Sequence, residues 1–169
     1  MTSREIWVVS DTHFGHTNII KYCDRPFENS DQMDEMMIDQ WNSVVKDHDI
    51  VYHLGDVYMG VNGRKALPKL KGRKRLILGN HDIGKDKYLQ SNFQKIAIWR
   101  MFPEFGLLLT HVPVHESTLR ENPERDLMMN VHGHTHTNGE PDGNKIDYRC
   151  VCVEHTNYKP INIELLRIR

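Results

Sequence analysis

Five short stretches of this 169-residue chain end on side chains that can ligate a metal: Asp11-Thr12-His13, Gly55-Asp56, Gly79-Asn80-His81-Asp82, Thr110-His111 and Gly133-His134-Thr135-His136. Each follows a run that reads as a β-strand, so together they describe one site assembled from several strand ends. Carboxylate, imidazole and amide oxygen suit divalent first-row metals better than calcium or an iron–sulfur cluster. The donors outnumber what one tetrahedral or octahedral ion takes. That surplus points to two ions side by side, an arrangement used to displace groups at phosphorus. Glycine at 55, 79 and 133 lets the backbone approach such ions closely.

The elements that must carry these donors follow from periodicity and turn chemistry. Ile6 to Ser10 is a short β-rich run ending at Asp11. His13 to Ser30 has no sustained period and reads as a long functional loop with a short helical piece. Ser30 is a candidate N-cap. After it Met33, Met36, Met37, Trp41, Val44 and Val45 recur at helical spacing to about Lys46. Ile50 to Leu54 and Arg75 to Leu78 read as strands, with a basic helical stretch, Gly63 to Lys71, between them and Pro68 interrupting it. Lys87 to Phe93 reads as a short helix. The remainder is strand-rich: Ile96 to Trp99, Gly106 to Thr110, Leu127 to Val131, Tyr148 to Val153 and Ile161 to Ile168, with a turn at Asp142-Gly143. Alternating βαβ units followed by a strand-rich half predict a layered α/β domain, two packed mixed sheets with flanking helices.

Composition sets outer bounds. The length suits one domain over residues 1–169, and 38% hydrophobic with 27% charged residues are globular values. A net charge of −1 does not indicate a strongly basic nucleic-acid binder. Five of the eleven histidines fall inside the motif stretches, which turns their excess into a local signal. Cys23, Cys150 and Cys152 form no CxxC pair and read as reduced thiols of a cytoplasmic protein, the latter two as strand positions and not ligands. The first residues lack a signal-peptide pattern and no apolar run reaches membrane-spanning length, so no membrane partner is expected. Oligomeric state has no signature here.

The motifs, in this order, resemble the calcineurin-like metallophosphoesterase superfamily, whose pattern is D-x-H, GD, GNH followed by D or E, H, and GHxH. The resemblance runs from Asp11 to His136. It implies a four-layer α/β sandwich of two mixed β-sheets flanked by helices, with a dimetal site at strand ends. It also implies ligand sets: Asp11, His13 and His136 for one ion, Asn80, His111 and His134 for the other, and Asp56 bridging both. Two divalent ions follow, with Mn²⁺ first and Fe²⁺, Zn²⁺ or Ni²⁺ compatible with the same donors. The implied reaction is in-line attack on a phosphoester by hydroxide formed at the metals. His81 would face substrate and protonate the leaving oxygen, a role that suits imidazole because it titrates near neutrality.

The chain departs from the protein phosphatases of that superfamily, whose GDxxDRG supplies an Asp that orients the catalytic His and an Arg that binds phosphate. Here the segment is Gly55-Asp56-Val57-Tyr58-Met59-Gly60. The group orienting His81 is thus open, with Asp82, Asp49 and a backbone carbonyl as candidates. His13-Phe14-Gly15-His16, with Asn18 and Arg25-Pro26-Phe27, resembles a small bacterial and phage subgroup. His16 and Arg25 are candidate substrate contacts, Arg25 through its forked donors. His53 reads as a hydrogen-bonding support behind the ligands. The expected activity is hydrolysis of small phosphodiesters or phosphomonoesters, nucleotides among them. The alternative is a nuclease that holds its polynucleotide with the basic run from Arg64 to Arg75, though no aromatic residues interleave to stack bases. An inactive scaffold protein is the third reading, and the complete ligand set speaks against it.

Overall fold

Nine short strands sort into two sheets in the computed structural model, which describes residues 4–119, 128–138 and 147–167. In the first sheet β1 (Ile6–Val9), β2 (Ile50–His53), β3 (Arg73–Ile77) and β4 (Lys95–Ala97) run parallel, and β9 (Ile161–Asn162) adds antiparallel to β1, giving the order β4-β3-β2-β1-β9. In the second, β5 (Trp99–Phe102) is antiparallel to β6 (Leu107–Thr110), which continues parallel to β7 (Met129–His132) and β8 (Tyr148–Cys150). Both sheets are mixed, as expected.

Side chains alternate between faces along a strand. Val9, Val51 and Leu76 therefore enter a core beneath the helices, while Val8, Ile50, Tyr52 and Ile77 meet Phe102, Leu107, Leu109 and Val131 between the sheets. The helical layer on the first sheet comprises α1 (Thr17–Tyr22), α2 (Ser30–Val44), the single turn α3 (Gly60–Gly63) with the 3₁₀ segment Arg64–Lys69, and α4 (Lys87–Asn92). Over the outer face of the second sheet the described residues place only the 3₁₀ turn Glu116–Leu119, packed with Leu108, Met128 and Tyr148. Among the described residues no helix is long and apolar enough to cross a membrane.

Several elements differ from their sequence reading. Asn29, not Ser30, caps α2, because its side-chain oxygen accepts the Gln32 amide at 2.9 Å. The strand expected over Ile96–Trp99 is two strands in different sheets, with Ile98 at the crossing. The run from Tyr148 leaves its sheet after Cys150 and crosses to the first, where Ser10 N donates to Val151 O and Val153 N to Ser10 O. The strand from Ile161 gives way after Asn162 to a 3₁₀ turn, Ile163–Leu165. Leu127, Ile168 and the Asp142-Gly143 turn lie outside the described residues.

Parallel pairing decides where the motifs go. β1, β2 and β3 share a direction, as do β6 and β7, so the segments leaving their C-terminal ends lie at one edge of each sheet.

Candidate metal centre

The loop after β1 presents Asp11 and His13, that after β2 Asp56, that after β3 Asn80 and His81, that after β6 His111, and that after β7 His134 and His136. Asp11, His13, Asp56, His134 and His136 all hold left-handed backbone, with φ between 47° and 67°. Each such non-glycine residue costs about 1–3 kcal/mol and persists only where its surroundings enforce it. Glycine is required beside them: Gly55 has φ +104°, and a Cβ on Gly133 would strike Ser10 Oγ and the Asp11 carboxylate.

Each carboxylate has one anchored and one presented oxygen. Asp11 Oδ2 accepts from Ser10 Oγ at 2.5 Å, the His134 amide at 2.9 Å and Cys152 Sγ at 3.3 Å. Its Oδ1 is buried with no hydrogen-bond partner and lies 3.4 Å from His136 Nε2 and 3.9 Å from His13 Nε2. Asp56 Oδ1 accepts the His81 amide at 2.9 Å, while Oδ2 lies 3.6 Å from both His13 Nε2 and His111 Nε2. Burial raises the Asp56 carboxyl above its ordinary range.

The imidazoles are oriented in the same manner. His111 Nδ1 donates to Leu54 O at 2.8 Å, leaving Nε2 as a lone pair 2.8 Å from Asn80 Oδ1. His134 Nδ1 stands 2.9 Å from the same oxygen. Lone pairs facing at such distances repel unless a proton or a cation lies with them, which is how a ligand set behaves. His136 Nδ1 pairs with Glu154 Oε1 at 3.0 Å, freeing Nε2 toward Asp11. Both His13 nitrogens are buried without a partner, and burial, then Arg25 and His136, pushes its pKa down to about 2, so the ring is neutral. These orphaned oxygen and nitrogen donors fit one or more divalent ions, and two of the groups close enough to hold one are Asp11, His13 and Asp56, and Asp56, His111 and His134.

Residues behind the ligands do much of the holding. Arg25, expected at the substrate, is 3% exposed. Its guanidinium donates to the carbonyls of Asp11 (2.7 Å) and Thr12 (2.9 Å) and pairs with Glu154 at 2.7 Å, so it braces the first loop from beneath. Burial opposes ionisation of Glu154, but His136 and Arg25 outweigh it and hold its pKa at about 2. Nothing in the sequence pattern flagged Glu154, which reaches the site only because its segment crosses between sheets. Asp82 does not meet the His81 ring: it accepts the amides of Asp56, Val57 and Gly79 at 2.8–3.0 Å, clamping the loops after β2 and β3. Asp49 binds Trp7 Nε1 and the amides of Glu5 and Lys46 at the start of β2, away from the site. His53 does support the ligand loops, through Thr12 Oγ1 at 2.9 Å and the Gly55 amide at 3.2 Å. Cys152, read as a plain strand position, borders Asp11 and His136.

At the mouth, the His81 side chain is 47% exposed, with Nε2 3.9 Å from Asp56 Oδ2. The rings of His81 and His16 lie 5.5 and 5.3 Å from that of His13. Part of the basic run is engaged elsewhere. Lys74 is buried with Nζ on Leu70 O, Arg75 donates to Tyr52 Oη, and Arg64 covers the Tyr88 ring. The backbone of Lys69 and Lys71 is bonded to Asn42, in the last turn of α2, and Arg73 starts β3, at the end remote from the ligand loops.

Comparison with known proteins identifies the family. The calcineurin-like phosphoesterase superfamily domain matches residues 5–151. An uncharacterised protein of Methanocaldococcus jannaschii is 35% identical, the match covering 98% of this chain and 91% of that one. The gene 66 protein of Mycobacterium phage L5 is 29% identical over 78% of this chain and 77% of its own. The crystal structure of an Aquifex aeolicus protein of unknown function superposes with a TM-score of 0.76 at 27% identity, covering 97% of this chain and 98% of that one. The chain belongs to the calcineurin-like phosphoesterase superfamily. It is thus in a class of phosphoester hydrolases that use divalent metals.

Proposed function

We propose that this protein hydrolyses small phosphodiesters or phosphomonoesters with two divalent ions, Mn²⁺ first among them. The observation that carries the reading is Asp56 Oδ2, equidistant at 3.6 Å from His13 Nε2 and His111 Nε2. A single oxygen facing two donor groups suits a bridging ligand. Asp11 Oδ1, His13 Nε2 and His136 Nε2 would hold one ion, and Asn80 Oδ1, His111 Nε2 and His134 Nδ1 the other. When bound, the ions supply Lewis acidity that neutralises phosphoryl charge and lowers the pKa of water from 15.7 toward about 7. His81, exposed at the mouth, donates a proton to the departing ester oxygen, and His16, its ring 5.3 Å from that of His13, meets the phosphoryl group. Arg25 and Glu154 hold Asp11 and His136 in place.

The engagement of Arg64, Lys74 and Arg75, and the start of β3 at Arg73 away from the ligand loops, favour a small ester over a polynucleotide. The deciding experiment offers metal-stripped protein Mn²⁺ and a panel of aryl phosphomonoester, aryl diester, cyclic nucleotides and single-stranded DNA. Metal-dependent hydrolysis of at least one small ester, with DNA intact, is the expected result. Two bound ions with no ester hydrolysed would defeat the reading.

A further inference from the structure

A cleft of about 570 Å³ opens off the metal centre on the outer face of the second sheet, a volume within the roughly 300–1,000 Å³ of small-molecule sites. Register builds its floor. Trp99 pairs with Thr110 and Met101 with Leu108, so these four side chains share a face, while Phe102, Leu107 and Leu109 point into the core. Ile98, where the chain passes between sheets, lines it together with Leu78, Val112 and Val114. Trp99, Ile98 and Val112 are 56%, 75% and 44% exposed, a concentration of apolar surface unusual outside a binding site.

Position identifies the occupant. Asn80 and His111 line the cleft and belong to the metal centre, so a molecule with its phosphorus at the ions would extend its ester group along the cleft. The lining carries no Lys, Arg, Asp or Glu among the described residues. Its Thr110 hydroxyl is already engaged, donating to Val112 O and accepting from Asn130 Nδ2. Apart from Asn80 and His111, the Thr118 hydroxyl and the Trp99 indole N–H are the remaining polar side-chain groups of the described lining. A nucleobase placed here would find few partners for its polar edge, a desolvation cost that a hydrocarbon does not incur.

We propose that the cleft seats the ester group of the substrate and selects a hydrocarbon one, an aryl or branched alkyl ester of phosphate, with Trp99 as its main contact surface. The proposal rests on the phosphoesterase reading and narrows it.

The test measures equilibrium binding of two non-hydrolysable probes, methylphosphonate and naphthylmethylphosphonate, to the Mn²⁺-loaded protein by calorimetry. Burying the naphthyl group should make the second probe bind about 10–100-fold more tightly. In Trp99→Ala and in Val112→Asp the ratio of the two affinities should fall to within about threefold, since the contact area shrinks in one and a charge enters in the other. Both positions are exposed, so the variants should fold, and circular dichroism verifies it. Equal affinities in the parent protein, or an advantage that survives both substitutions, would overturn the proposal. So would sedimentation showing a dimer that Trp99→Ala dissociates and naphthylmethylphosphonate does not, because a second copy would then occupy the cleft. If small esters are hydrolysed but the affinity ratio is near one, the cleft proposal alone fails. If neither phosphonate binds and no ester is hydrolysed, the phosphoesterase reading fails with it.

Discussion

The two halves of the proposed metal centre are built differently. Around Asp11, His13 and His136 the protein is closed: Asp11 and His13 are buried, and Ser10, Arg25, Cys152 and Glu154 bond to the ligands or to their loop. Around Asn80 and His134 it is open. Both residues are exposed, and of this half's imidazoles His111 alone is held from behind among the described residues, by the Leu54 carbonyl. The difference follows from chain connectivity. The first half lies at the seam where the segment after β8 crosses between sheets and delivers Cys152 and Glu154, whereas the second lies beside the apolar cleft. A donor set fixed by buried partners loses little freedom on binding a cation; an exposed set must be ordered by the ion itself.

The harshest trial of this contrast removes what the halves share. Asp56→Asn should lose both ions and all measurable turnover, since the carboxylate faces both donor groups. Metal analysis that still finds two ions and a near-normal rate would show that nothing bridges the halves.

His81 belongs to neither half. His81→Ala should retain both ions while slowing esters with alkoxide leaving groups by about 10²–10⁴-fold, and nitrophenyl esters distinctly less, because nitrophenolate departs without a proton. Equal slowing would point to phosphoryl positioning, and loss of an ion would make His81 a ligand.

Glu154 should separate the halves. Glu154→Gln should weaken one ion by about 10–100-fold and leave the other near its original affinity, since His136 loses its charged partner and Arg25 its counter-ion while the Asn80 side is untouched. Equal weakening of both ions in a metal titration would erase the contrast.

The smallest effect lies farther back. Asp34 accepts the Gly15 amide at 2.9 Å, tying α2 to the first ligand loop. Burial raises its pKa from 3.8 to about 6, with Asp31 adding to it and the Gly15 bond opposing. A raised folded-state pKa means that the unfolded chain releases this proton first, so stability falls as pH rises from 3.8 to about 6 and stays lowered above. Asp34→Asn, neutral throughout, should therefore raise Tm by a few degrees at pH 8 and by nothing near pH 3.5. A gain of equal size at both values would assign the effect to packing.

Local chemistry determined more of this protein than its short elements suggest. The five donor-rich stretches, the strands β1, β2, β3, β6 and β7 that precede them, and the amphipathic helix α2 are legible because period, flanking glycine and donor type are local properties. Tertiary structure decided the rest. Arg25 reads as a phosphate contact because an Arg after a ligand loop has the reach; only the return of Glu154 beside it turns the guanidinium inward. Arg64 to Arg75 reads as one basic run, yet packing buries Lys74 and engages Arg75. Ile96 to Trp99 reads as one strand, because the residue at which a chain changes sheets has no distinctive composition. The Arg25 outcome depends on a partner 129 positions away, and the Arg75 outcome on the neighbouring strand. A local pattern carries no information about either.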